Sequence, residues 1–253
     1  MFTSLTLECI MNYSKRVYGM TKFIFDIDGT LTPSRGVINE AFGRWLYDFM
    51  RYHDVYFVTG SDSDKTIEQV GEDLFRKVQY SFNCSGNCVF QNGNVVYRND
   101  WKCPDDLWMY LEDQLYRSKY QPKYGKNFEP RIGMLNFSIV GRQAVGDQRK
   151  QYYEWDLINK ERERLADYIN QNWPEVTASV GGETGIDIFP KGKDKAQILD
   201  WFDEKDHLIF FGDRIDPNGN DWTLARKIVD NDRGLSYNVK DYKETWDILK
   251  DYD

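Results

Sequence analysis

The chain holds two histidines, four cysteines and seven prolines among 253 residues, and its scarcities remove classes of function. Cys9, Cys84, Cys88 and Cys103 are too few and too unevenly spaced for a disulfide framework, which fits a reducing cytoplasm. Cys84-Ser-Gly-Asn-Cys88 has the look of half a zinc site, but no second Cys or His pair accompanies it, so ordinary thiols are expected. No run of about 18 apolar residues is present to cross a membrane. Basic residues are outnumbered, 33 Lys and Arg against 41 Asp and Glu, and the formal charge of −8 argues against a general nucleic-acid binder. The leader MFTSLTLECIMNYSKRVYG has Glu8 in its most apolar part and no small-residue cleavage site. It reads as an N-terminal extension over 1–19, with Met11 or Met20 as alternative starts.

What is abundant is apolar and aromatic surface, 41% and 16% of residues, enough to build a large core. Three apolar runs, FIF before Asp26, VYFV before Thr59 and LIFF before Gly212, each end in a polar turn. Continuous runs of this kind suit parallel strands covered on both faces. Helical patterns over Asn39 to Arg51, Asp64 to Lys77, Asp194 to Phe202 and Asn220 to Asp230 follow, so the alternation implies βαβ units and an open α/β sheet. Asn92-Gly93 marks a hairpin. From about Asp100 the pattern changes. An aromatic-rich helix over Asp105 to Tyr120, a loop with Pro122, Gly125 and Pro130, a strand GMLNFSIVG, a long helix from Asp147 to about Asn172, and the β segments TASVGG and GIDIF follow. The expectation is an α/β core over 20–99 and 191–253 with an α+β cap inserted over 100–190.

The stretch FIFDIDGTLTPSRG, residues 23–36, carries the chemistry. Asp26 and Asp28 are two positions apart, so extended backbone turns both carboxylates to one side. Like charges that close disfavour joint ionisation unless a cation compensates them. Asp213, after LIFF and a glycine, is the third acid in matching context. Carboxylates without a His or Cys cluster favour Mg²⁺ over zinc. Lys195, at a helix start after Gly192-Lys193-Asp194, can bring an ammonium to the same place, and Thr59-Gly60-Ser61 offers hydroxyls and backbone N–H groups at another helix start.

The order of hydrophobic-DxDGTLT, strand-TGS, GKDK and hydrophobic-GD…GND resembles the haloacid dehalogenase superfamily of phosphoryl-transfer enzymes, which implies a Rossmann-like core with a parallel sheet. The cap elements Arg131-Ile-Gly-Met-Leu-Asn136, Ser-Ile-Val-Gly-Arg142, Arg149 and Gly181-Gly182…Asp187-Ile-Phe-Pro190 are similar to those of eukaryotic-type phosphomannomutases, over roughly 20–240. The resemblance implies Asp26 as nucleophile, Asp28 as general acid and base, and Lys195 as the cation offsetting their charge. It implies a Mg²⁺ site made by Asp26, the Asp28 carbonyl, Asp213, Asn220 and Asp221. Arg131, Arg142 and Arg149 would grip a distal phosphate, with Arg35 from the core, and Asn136 and Asp187 would bond sugar hydroxyls, while Thr59, Ser61 and Gly185 complete the substrate set. It further implies interconversion of mannose 6-phosphate and mannose 1-phosphate, a hexose 1,6-bisphosphate activator, and a homodimer paired through the cap. The same scaffold with a cap that admits water would be a sugar-phosphate phosphatase. Thr59 stands where the family has Gly, Gly185 where it has Ser, Glu183 where it has an amide, and Ile132 and Val140 also depart from its pattern.

Overall fold

The computed structural model describes residues 21–217 and 219–252; the leader over 1–19, with Cys9, lies outside them. Strands β1 (Thr21–Phe25), β2 (Asp54–Val58), β3 (Tyr80–Asn83), β4 (Cys88–Gln91), β5 (Asn94–Arg98), β10 (His207–Gly212) and β11 (Gly234–Asn238) form one seven-stranded sheet in the order β11-β10-β1-β2-β3-β4-β5. The pairs from β11 to β3 are parallel, and β4 and β5 return antiparallel through the Asn92-Gly93 turn. β1 sits inside the sheet with both faces covered, which is why its run is apolar without alternation.

Those two faces bury different partners. Phe23 and Phe25 pack with Val55, Phe57, Ile209 and Phe211 beneath helices α1 (Glu40–Phe49) and α3 (Glu72–Lys77), whereas Ile24 packs with Tyr56, Val58, Leu208 and Phe210 on the opposite side. That second side is closed by a 3₁₀ segment, Lys195–Trp201, and by α7 (Trp222–Asp230). Each fully buried Phe contributes roughly 1.5–3 kcal/mol of hydrophobic stabilisation.

A four-stranded antiparallel sheet stands apart from this one, β6 (Phe128–Arg131), β7 (Met134–Phe137), β8 (Val176–Gly181) and β9 (Gly185–Pro190), in the order β6-β7-β9-β8. Leu135, Phe137, Ile186 and Ile188 point from one face into a cluster with Leu107 and Leu111 of α4 (Asp105–Arg117), Tyr152 of α5 (Asp147–Asn159) and Leu165 and Ile169 of α6 (Glu161–Asn172). Period-two alternation therefore leaves Glu129, Arg131, Asn136 and Asp187 on the other face.

Four expectations change in detail. The helix expected over Asp64 to Lys77 divides into α2 (Ser63–Val70) and α3, because Gly71 adopts φ +85° between them. The helix expected from Asp147 to Asn172 divides at Lys160, in left-handed conformation with φ 53°. The segment expected as a helix over Asp194 to Phe202 is a 3₁₀ turn. GMLNFSIVG forms a strand only over Met134–Phe137, and the loop before it contains β6, whose Pro130 is tolerated because β6 is an edge strand. Cys84, Cys88 and Cys103 carry free thiols.

Candidate active site

The chain leaves β1 at Phe25 and turns at once. Leu31 and Thr32 backbone N–H groups return to the Ile27 carbonyl, and Gly29 takes φ +78° against Asp213, where a Cβ would collide with the Asp213 carboxylate. The DIDGT turn thus needs glycine at position 29 to bring the ends of β1 and β10 together.

Asp26 is buried, and Lys195, also buried, donates from Nζ to Asp26 Oδ1 at 2.5 Å and to Asp221 Oδ1 at 2.6 Å. The other Asp221 oxygen accepts the Arg214 backbone N–H at 3.2 Å, so Asp221 orients the lysine and anchors the loop after β10. Carboxylate oxygens of Asp26, Asp213 and Asp221 all lie within 4.8 Å of one another. Burial pushes the Asp26 carboxyl well above its ordinary value, Lys195 opposes that, and Asp221 and Asp213 add to it. Burial alone would depress the Lys195 ammonium, but Asp221 and Asp26 raise it above its usual range. Asp213 is pushed up to about 6, by burial first and then by Asp221. One ammonium faces three carboxylates, and this excess of negative charge could hold a cation.

Asp28 is oriented by other partners. The Arg35 backbone N–H donates to its Oδ1 at 2.5 Å, from a residue in left-handed conformation with φ 58°, and Gln69 Nε2 donates to the same oxygen at 2.9 Å. Gln69 also donates to Thr32 Oγ1 and the Gly36 carbonyl, which fixes the TPSR loop against α2. The Thr59 hydroxyl accepts the Ser61 backbone N–H at 3.1 Å, so one expected anion-binding donor is used within the turn itself.

Across a cleft of about 570 Å³ stands the polar face of the cap sheet. Asp26, Asp28, Arg35, Thr59, Ser61, Arg131, Asn136, Arg142, Arg149, Asp187, Asp213 and Asn220 all line this one cleft, whereas Lys195 and Asp221 are buried behind Asp26, and Gly185 lies beneath Asn136. Asn136 Nδ2 donates to Asp187 Oδ1 at 2.6 Å across the β7–β9 pair, while Asn136 Oδ1 is buried without a partner among the described residues. Arg131 and Arg142 both donate to Glu129, and Arg131 Nη1 also donates to the Gly60 carbonyl of the core at 2.9 Å. Burial would raise Glu129, but Arg131 and Arg142 more than reverse that and hold it below its ordinary value. The Arg35 guanidinium is lowered by burial and by Arg149 and Arg142 across the cleft.

Sequence reasoning assigned no role to Glu129 or Gln69. Glu129 was legible in principle, as a charge two residues from Arg131 on a strand. Gln69 was not, since nothing local to α2 points to a carboxylate 41 positions away.

The sheet order, the DxD turn at the end of its inner strand and the separate cap sheet define a capped α/β fold of the haloacid dehalogenase type. Solved structures of similar fold include an IMP-nucleotidase of Plasmodium falciparum, with TM-score 0.61, 16% identity, and 92% of this chain and 66% of that one covered. They also include a haloacid dehalogenase-like hydrolase from Bacteroides thetaiotaomicron, with TM-score 0.59, 12% identity, and 92% and 100% covered. Within that class, the family model described as eukaryotic phosphomannomutase matches residues 44–252, and the chain belongs to that family. Phosphomannomutases of Saccharomyces cerevisiae and Encephalitozoon cuniculi are 30% and 32% identical to it, over 90% and 81% of this chain and 92% and 84% of theirs.

Proposed function

We propose that the chain interconverts mannose 6-phosphate and mannose 1-phosphate through a phosphoaspartate at Asp26 and a hexose bisphosphate. The observation that carries the reading is a single cleft with a carboxylate–ammonium pair at one wall and guanidiniums at the other. Asp26, primed by a hexose 1,6-bisphosphate, holds the phosphoryl group. A hydroxyl of the hexose monophosphate attacks the phosphorus, Asp28 accepts the hydroxyl proton, and the bond from phosphorus to the Asp26 oxygen breaks. The bisphosphate then turns end for end. Asp26 attacks the other phosphate, that phosphate's bond to the sugar oxygen breaks, and Asp28 returns the proton to this oxygen. Lys195 neutralises charge on Asp26 and the transferred group.

The all-oxygen donor set and the unbalanced charge fit Mg²⁺, which Asp26, Asp213 and the Asp28 carbonyl would hold, with Asn220 alongside. When bound it supplies charge neutralisation at the transferring phosphate. Arg35, Arg131, Arg142 and Arg149 supply the positive charge at the distal phosphate, through the donors not committed to Glu129, Gly60 and Glu183, and Asn136 with Asp187 bonds the sugar. Closure of the cap, helped by the Arg131 to Gly60 bond, excludes the water that would otherwise take the phosphoryl group.

The experiment is to incubate protein and Mg²⁺ with mannose 1-phosphate and catalytic glucose 1,6-bisphosphate, following mannose 6-phosphate and free phosphate together. Isomer without stoichiometric phosphate is expected. Phosphate released as fast as substrate disappears would instead identify a phosphatase.

A further inference from the structure

The turn joining β8 to β9, Gly181-Gly182-Glu183-Thr184-Gly185, carries a carboxylate into the guanidinium cluster. Its placement is fixed from beneath: Arg162 Nη1 donates to the Gly182 carbonyl at 3.0 Å, and Arg162 Nε donates to Asp156 at 2.7 Å in a buried ion pair. Glu183 Oε2 accepts from Arg149 Nε at 2.9 Å. The Arg149 side chain is only 14% exposed and Glu183 is 57% exposed, so the acid approaches from the open side. Arg149 Nη1 is buried with no partner among the described residues. One donor of this guanidinium is thus engaged by the protein's own anion, and another is not.

We propose that Glu183 sets substrate affinity by competing inside the molecule for Arg149, and so governs the grip on the distal phosphate of a hexose phosphate. This rests on the reading of the cap guanidiniums as the distal phosphate subsite. A guanidinium recognises phosphate best through two parallel N–H donors. A phosphate at Arg149 has either to displace Glu183 from Nε or to bind at the terminal nitrogens with a like charge beside it. Both outcomes weaken the hold, and Glu183, being exposed, can swing into solvent to permit the first. An enzyme whose bisphosphate must turn around within the cleft gains from this, because a distal phosphate held by every available cation would be slow to let go.

The test is equilibrium titration of mannose 6-phosphate into the full chain with a chelator present, so that no turnover occurs. Wild type, Glu183→Gln, Arg149→Gln and the double variant are compared. Glu183→Gln is expected to tighten binding by about three- to ten-fold, the range that one partly buried ion pair and one like-charge repulsion support. In the Arg149→Gln background the same change is expected to have little effect. With Mg²⁺ and bisphosphate restored, KM of Glu183→Gln should fall by a similar factor while kcat does not rise. Unchanged or weaker binding by Glu183→Gln, or equal tightening without Arg149, would overturn the competition alone. Wild-type affinity in Arg149→Gln would overturn the distal subsite and the competition with it.

Discussion

At the scale of single residues, the two acids of the DxD turn differ in their surroundings and hence in their work. Asp26 is buried against an ammonium and two further carboxylates, while Asp28 faces the cleft and is held by an amide and a backbone N–H. Replacing Asp26 with Asn keeps the shape and removes the proposed nucleophile, so both turnover and transfer of labelled phosphate from glucose 1,6-bisphosphate to the protein should vanish. Retention of either would exclude Asp26 as the acceptor. Gln69→Leu should act differently. It leaves Asp26 intact but leaves Asp28 held by the Arg35 N–H without the Gln69 amide, and a hydrogen bond to a charged group is worth about 1.5–3 kcal/mol. We expect kcat to drop about ten-fold or more, with KM little changed. A change confined to KM would mean that Gln69 serves substrate binding instead.

Arg162 of α6 links the β8–β9 hairpin to α5, bonding the Gly182 carbonyl and Asp156. Removing one partner of a buried pair strands the other charge and destabilises by about 3–5 kcal/mol, whereas replacing both with apolar residues is often neutral. Arg162→Met should therefore lower the urea midpoint more than the double replacement with Asp156→Leu does. Equal losses would show that the pair contributes only packing. Strand β6 makes a complementary case through Glu129. Arg131 and Arg142 hold its carboxyl below the ordinary glutamate value in the folded chain, so the unfolded chain binds this proton more readily. By linkage, the stability it contributes is fully present above the ordinary value of about 4.3 and is lost as pH falls through the lower folded value. Glu129→Gln should flatten the acid limb of a stability–pH profile in that window. A limb as steep as wild type would count against this linkage.

For the whole molecule, the decisive relation is that between the two sheets. The Arg131 side chain, from the edge strand of the cap, bonds the Gly60 carbonyl in the loop that follows β2 of the core. That bond links cap position to the wall of the catalytic cleft. Under the proposed mechanism, Arg131→Ala should raise the ratio of phosphate released to sugar isomerised, because a cap held less firmly over the core would admit water to the phosphoaspartate. An unchanged ratio with reduced affinity would confine Arg131 to substrate binding. The aromatic-rich helix α4 divides between two environments: Leu107 and Leu111 are buried, Trp108 and Tyr110 pack against the cap core, and Met109 and Tyr116 are exposed.

Local sequence by itself determined the strand ends, the same-sided carboxylates, the hairpin at Asn92-Gly93 and the change of pattern near residue 100, because apolar period and turn chemistry act over a few residues. It misjudged the helix breaks at Gly71 and Lys160 and overlooked β6, since a left-handed residue or an edge proline is tolerated only when neighbours in space permit it. Tertiary structure alone decided that Gln69 steadies Asp28, that Glu183 confronts Arg149, and that Asp221 shares the Lys195 ammonium with Asp26. Those pairings depend on which sheet faces which. That is fixed by burial of the whole apolar surface and leaves no trace in the spacing of the residues that meet.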